Sequence, residues 1–108
     1  MPTTKEVFDA IESRLNADKA KKINSTYQFV IGEEKWFVDL TKAAGPWIEQ
    51  KEAEAKCVVT VAKPEDWVAL AVGDATGKKL NPTAAFMQNK IKVKGDMGLA
   101  MKLQSLLS

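Results

Sequence analysis

Two runs of alternating side chains on either side of Gly32 constrain this chain more than any other feature. Ile23, Ser25, Tyr27, Phe29 and Ile31 alternate with Asn24, Thr26, Gln28 and Val30, and after Gly32-Glu33-Glu34 the residues Trp36, Val38 and Leu40 alternate with Lys35, Phe37 and Asp39. A period of two puts each set on one face of an extended strand. A glycine-led turn between two such runs makes them an antiparallel hairpin. The apolar face of that hairpin must be hidden, so the fold has to be layered.

The remaining segments supply the cover. Thr3 and Glu6 form a capping-box pair, and Val7, Phe8, Ile11 and Leu15 follow at helical spacing with Glu12 and Arg14 on the far side, which predicts an amphipathic helix over 4–16. Asn16-Ala17-Asp18-Lys19 reads as a turn. A third short strand is expected after Gly45-Pro46, carrying Trp47 and Ile48, and Gln50 to Lys56 reads as a charged loop. Cys57-Val58-Val59-Thr60-Val61 is the densest β-branched run and predicts a central strand. Pro64, Glu65 and Asp66 open a helix that carries Trp67, Val68, Leu70 and Ala71 and stops at Gly73.

A loop from Asp74 to Leu80 leads to Asn81-Pro82, which starts a short helix ending near Gln88. Lys90-Ile91-Lys92-Val93-Lys94 then alternates as a half-exposed strand whose lysines guard its edge. Asp96 caps a last helix in which Met97, Leu99, Ala100, Met101, Leu103, Leu106 and Leu107 outnumber Lys102, Gln104 and Ser105, an apolar face too wide for a simple surface helix. The order α-β-β-(β)-β-α-α-β-α predicts one α+β domain over 1–108, with helices on one face of the sheet.

Composition narrows the chemistry. At 108 residues the chain is long enough for one real core, and no apolar run approaches the roughly 20 residues that span a bilayer. Histidine is absent and Cys57 is the sole cysteine, which excludes imidazole acid-base catalysis, Cys/His nucleophilic pairs, the common zinc sites and an internal disulfide. No cofactor and no metal is expected, and the home implied is intracellular and reducing. Cys57 in an apolar strand reads as a core residue. Glu33-Glu34 and Glu65-Asp66 read as a solvated turn and a helix-dipole complement, and the glycines lack phosphate-loop spacing.

Charge is unevenly spread. Residues 75–108 hold six lysines and one acid, Asp96, a basic third that attracts anions. Nucleic acid is a poor partner for it, because Phe86 is the only aromatic after Trp67 and Arg14 the only arginine. Transient docking on anionic membranes fits better. Met87, Met97 and Met101 cluster around the last strand and helix, and adaptable side chains beside an over-apolar helix suit a lipid cavity or its lid.

The residues Leu80-Asn81-Pro82, Ala85-Phe86, Gln88, Lys90-Ile91-Lys92-Val93-Lys94-Gly95 and Met97-Gly98-Leu99-Ala100-Met101-Lys102-Leu103-Gln104 together resemble the sterol carrier protein type 2 domain, the non-specific lipid-transfer protein family. Val38-Asp39-Leu40 and the passage from Val59 through Trp67 to Gly73 extend the resemblance over roughly residues 4–107. It implies a five-stranded, mostly antiparallel sheet with helices covering one face and a hydrophobic tunnel between the layers. It also implies binding and transfer of fatty acid, fatty acyl-CoA, sterol or phospholipid without catalysis, by a monomer. An accessory role, presenting acyl-CoA to a β-oxidation enzyme, is the alternative.

On this chain the resemblance puts the tunnel wall among Phe8, Ile11, Leu15, Trp36, Val38, Val59, Val61, Trp67, Leu70, Phe86, Met87, Ile91, Val93, Met97, Leu99, Met101, Leu103 and Leu106, with Gln88 and Gln104 as polar contacts for a ligand head. Asn89 stands where a glycine is usual, Asp96 where an asparagine is usual, and Asp74 to Lys79 lengthens a loop. The family suggests the peroxisome. The chain ends Leu106-Leu107-Ser108 rather than in a Ser-Lys-Leu type of address, so the cytoplasm stays open.

Overall fold

The computed structural model describes residues 3–73 and 76–107; Asp74 and Ala75 of the expected loop, and the terminal Ser108, lie outside the described residues. Helix α1 spans Thr4–Arg14 and starts as its cap predicts: Thr3 Oγ1 accepts from the Glu6 N–H at 3.1 Å and Glu6 Oε1 accepts from the Thr3 N–H at 3.0 Å. Val7, Phe8 and Ile11 face inward. The helix stops earlier than the expected residue 16, because Leu15 is extended and Asn16 caps a second helix.

That second helix, α2 (Ala17–Ile23), corrects the reading of Asn16 to Lys19 as a turn. Asn16 Oδ1 accepts from the Lys19 N–H at 2.8 Å, and Ala20 and Ile23, three apart, are buried on one side. Ile23 is therefore helical rather than the first residue of a strand. Asn24, at φ +46, ends the helix in the left-handed conformation that Asn tolerates better than most residues.

Strands β1 (Thr26–Ile31) and β2 (Glu34–Asp39) form the predicted hairpin, with Tyr27 opposite Val38 and Phe29 opposite Trp36. Gly32 holds φ +60 in the two-residue connection, a value suited to glycine. β3 (Ile48–Glu49) adds to the free side of β2. β4 (Cys57–Val61) runs parallel to β1, and β5 (Ile91–Gly95) pairs antiparallel with β4. The sheet order is β3-β2-β1-β4-β5, mostly antiparallel with one parallel contact.

The register aligns Tyr27, Phe29, Ile31, Trp36, Val38, Cys57, Val59, Val61 and Ile91 on one face, and all are buried. Three more helices join α1 over it: α3 (Pro64–Ala71), α4 (Pro82–Met87) and α5 (Met97–Leu107). Phe8 binds the layers together. Its ring stacks on Trp36 at 4.6 Å, lies 4.7 Å from Trp67 of α3, and meets the edge of Phe29 at 5.7 Å between centroids. Such aromatic pairs add about 0.5–1.5 kcal/mol each beyond burial.

Glu12, expected on the far side of α1, instead points into the fold's edge. Its Oε1 accepts from the backbone N–H groups of Trp47 and Ile48 at 2.8 and 2.9 Å and so holds β3 in place. The opposite face of the sheet is crossed by residues 50–56, which carry the chain from β3 to β4. Gln28, 4 % exposed, pins that strap: its Oε1 accepts from the Ala53 N–H at 2.6 Å, and its Nε2 donates to the carbonyls of Trp36 and Lys51 at 3.0 and 3.2 Å. Lys51 Nζ rests 5.4 Å from the centre of the Phe37 ring.

Substituting Gln28→Ala strips the strap of both kinds of bond and leaves carbonyls and the Ala53 N–H without their partner. We expect urea unfolding to show a loss of about 1–3 kcal/mol. A midpoint equal to that of the unmodified chain would mean that the strap is held by something else.

Candidate functional site

The last third of the chain builds the site. Asn81 Oδ1 accepts from the N–H groups of Thr83 and Ala84 at 2.8 and 3.4 Å, and Pro82 occupies the first turn, so α4 begins sharply. It ends as sharply: Asn89 takes φ +59, and the Lys90 N–H donates to the Ala85 carbonyl at 2.8 Å, turning the chain straight into β5. Asparagine fits where glycine is usual because it too tolerates the left-handed region.

Gly95, at φ +101, closes β5 where a Cβ would collide with the Lys56 carbonyl. Asp96 Oδ1 then accepts from the Gly98 N–H at 2.8 Å and starts α5. Leu99, Leu103, Leu106 and Leu107 anchor that helix inward, and the Tyr27 hydroxyl donates to the Leu99 carbonyl at 2.5 Å. Burial pushes the Tyr27 pKa upward, with Cys57 and Asp96 adding to the shift, so its hydroxyl stays a donor.

The wide apolar face of α5 is thus split in two. Its leucines enter the core, while Met97 is 52 % and Met101 84 % exposed. Beside them a groove of about 220 Å³ lies between α4, β5 and α5, lined by Pro82, Thr83, Phe86, Ile91, Val93, Met97, Ala100, Met101 and Leu103. Six of the residues singled out from the sequence meet there: Phe86, Ile91, Val93, Met97, Met101 and Leu103. Pro82, Thr83 and Ala100 were not among them. Pro82 and Thr83 were hidden in a cap motif, and Ala100 is too small to stand out by residue type.

A second hollow of about 170 Å³ shares Pro82 and is lined by Leu70, Lys79, Leu80, Asn81, Gln104 and Leu107. Leu70 and Gln104 therefore sit apart from the groove. Gln88 and Met87 are exposed and line neither space. Phe8, Ile11, Leu15, Trp36, Val38, Val59, Val61, Trp67, Leu99 and Leu106 belong to the closed core. Within it, Trp67 Nε1 is the one buried side-chain polar atom without a hydrogen-bond partner among the described residues. An unsatisfied donor of this kind costs about 1–3 kcal/mol.

Electrostatics near the second hollow are cationic. Burial lowers the pKa of Lys19, and the charges of Arg14 and Lys79 lower it further. Among the described residues no group of three His, Cys, Asp or Glu side chains is placed to hold a metal, and no helix is long and apolar enough to cross a membrane.

Fold and groove define a class: a small α+β protein with an apolar cleft between its terminal helices and the edge of its sheet. The chain belongs to the SCP-2 sterol transfer family, whose model matches residues 5–108. It is similar to "Hydroxysteroid dehydrogenase-like protein 2" of Xenopus tropicalis, with 40 % identity over 105 residues that cover 94 % of this chain and 24 % of the relative. It is 37 % identical over 109 residues to "Sterol carrier protein 2" of Homo sapiens, covering 93 % of this chain and 19 % of the relative. The chain therefore spans about a quarter or less of these relatives' lengths. In structure it resembles palmitated SCP2L2 from Aedes aegypti, with a TM-score of 0.73 and 27 % identity over 98 % of this chain and 95 % of that one.

Cys57 is fully buried, and desolvation, aided by the negative charge of Asp96, pushes its thiol from 9.0 up to about 11. A raised acid pKa favours the neutral thiol, so this contribution to stability is complete below about pH 9 and is lost as the pH climbs towards 11. Iodoacetamide at pH 8 should leave Cys57 unmodified in the folded protein and label it once urea unfolds the chain. Prompt labelling without denaturant would contradict its placement.

Proposed function

We propose that this domain binds lipids and carries them without changing them chemically, with fatty acid, fatty acyl-CoA, sterol and phospholipid as the ligand classes. The observation that carries the reading is the groove of about 220 Å³, walled almost entirely by apolar side chains and left open at Phe86, Met97 and Met101. Membership of a sterol transfer family and likeness to a palmitated protein support it. Fatty acid is the ligand that this second comparison favours.

Ligand pockets usually offer about 300–1,000 Å³, so the groove as it stands takes part of a long chain. A full acyl chain needs α5 to move outward from β4 and β5, opening the space between the layers into a tunnel. The Tyr27 bond to Leu99 and the buried leucines of α5 set the resistance to that motion. Burial of about 15 methylenes would yield a gross gain of about 12 kcal/mol, from which ordering and displacement costs leave micromolar or tighter binding. The chain would act as a monomer that meets anionic membranes transiently.

A second reading is favoured by the length of the relatives, of which this chain spans 24 % and 19 %. In it the domain holds acyl-CoA for a β-oxidation enzyme. Channelling in a coupled assay with such an enzyme would support that role, and an unchanged rate would reject it.

The groove itself can be tested by filling it. Ala100 lines it and is only partly buried, so Ala100→Trp should weaken binding of a fluorescent fatty acid by about tenfold or more while the melting temperature holds. Undiminished affinity would remove the groove from the binding path.

A further inference from the structure

Trp67 is fully buried, and its Nε1–H is the donor left without a partner among the described residues. The other two indoles are served. Trp36 Nε1 donates to Glu34 Oε1 at 3.3 Å and Trp47 Nε1 to the Lys42 carbonyl at 3.2 Å, although both residues lie nearer the surface. A native fold rarely tolerates a buried orphan donor without a reason. Packing does not supply one, because a phenylalanine would keep much of the ring's contact and remove the penalty. Nor do the neighbouring rings. Phe8 lies 4.7 Å away at 30°, too nearly face to face for an N–H in the indole plane to point at it, and Phe29 at 5.1 Å and 50° offers at most a weak N–H···π contact.

Along the sheet this donor is close to the groove. Trp67 packs on Phe29 of β1, and the register carries that row from Phe29 to Val59 of β4 and on to Val93 of β5, which walls the groove. With strands about 4.8 Å apart, Val93 is about 10 Å from Phe29. Leu70, one turn after Trp67 on the same side of α3, lines the second hollow.

We infer that the Trp67 indole N–H is a specificity-determining donor for the inner part of the ligand, and that it favours acyl chains carrying a neutral oxygen, hydroxyl or oxo, well away from the carboxyl end. The inference rests on the lipid-carrying reading and refines its ligand class. Outward motion of α5 opens the inner face of β4 and brings a penetrating chain under α3, to the indole. The oxygen has to be neutral. One N–H cannot offset the cost of bringing a carboxylate among Phe8, Phe29 and Val59, whereas a hydroxyl or ketone is accommodated by a single partner.

The carboxylate therefore stays at the mouth, where Lys90 and Lys102 are exposed beside groove residues. The chain runs inward tail first, which puts an oxygen beyond its middle, and not one beside the carboxyl, within reach of Trp67. A plain chain leaves the donor as it is. Because folding has already desolvated the N–H, the bond it makes in so apolar a setting goes to the oxygenated ligand.

Calorimetric titration of the unmodified protein and of Trp67→Phe with stearate, 2-hydroxystearate and 12-hydroxystearate tests this. The affinity ratio of 12-hydroxystearate to stearate should fall about tenfold on the substitution, and the ratio of 2-hydroxystearate to stearate should hold. If the variant does not fold, nitrogen–proton correlation spectra of the indoles in the unmodified protein decide the matter. There 12-hydroxystearate should move the Trp67 Nε1–H resonance downfield of its position with stearate, with Trp36 and Trp47, already bonded, as internal references.

The same ratio in both proteins, or a Trp67 resonance that is alike with both lipids, would overturn the inference. An equal fall for 2-hydroxystearate would do so too, by tying the effect to ligand polarity in general. Failure of the unmodified protein to bind any of the three is a separate result that sinks the lipid-carrying reading and the inference with it. Stearate uptake without discrimination would sink the inference alone.

Discussion

The parallel pairing of β1 with β4 is the constraint on which the rest of the molecule depends. Parallel neighbours cannot be joined by a tight turn, and here the chain runs out through β2 and β3 before returning to the other side of β1. It returns across the outer face of the sheet, as the strap over Gln28 and Phe37. That face is thereby partly covered by a few polar bonds, and the helices gather on the other. Phe8, clasped between Trp36 and Trp67, records how closely α1 and α3 press onto that inner face. What remains for α4 and α5 is the end over β4 and β5, where the cover is incomplete and the groove forms.

Much of this was legible because local signals agreed with one another. The alternation around Gly32, the Thr3/Glu6 box, the β-branched run of β4 and the Asn81-Pro82 start each named an element that the structure contains. Helix α2 was obscured for a physical reason. It has seven residues, too few for a clear apolar stripe, and its last residue, Ile23, continues the alternation of the following strand. The burial of Gln28 and the inward turn of Glu12 were equally hidden, since both depend on partners 20 to 40 residues away. Side-chain type alone assigns such residues to the surface.

The site shows where residue type stops being informative. Leu103 and Met101 are both apolar and two positions apart, yet one is 1 % exposed and the other 84 %. Hydrophobicity marks each as a candidate for burial but cannot say which of them the fold covers. The same holds for Phe8 and Phe86, one at the centre of the core and one on the groove's rim. Segment continuity did better: residues of α4, β5 and α5 meet because they follow one another through two abrupt turns.

Those two turns have a further consequence. Asn89 at φ +59 and Gly95 at φ +101 act as fixed pivots at either end of β5, and the second lies against the Lys56 backbone too closely for a side chain. Between them the strand pairs residue for residue with β4, from Ile91 opposite Val61 to Gly95 opposite Cys57. Its exposed lysines are free to vary, but Ile91 and Val93, which wall the groove, and its length are not. One residue gained or lost would swing α5 round its own axis and exchange the strand's lysines for its apolar members. Homologous chains should therefore drift at the exposed positions of β5 while keeping its apolar alternation and the count between its pivots, since together these preserve the groove.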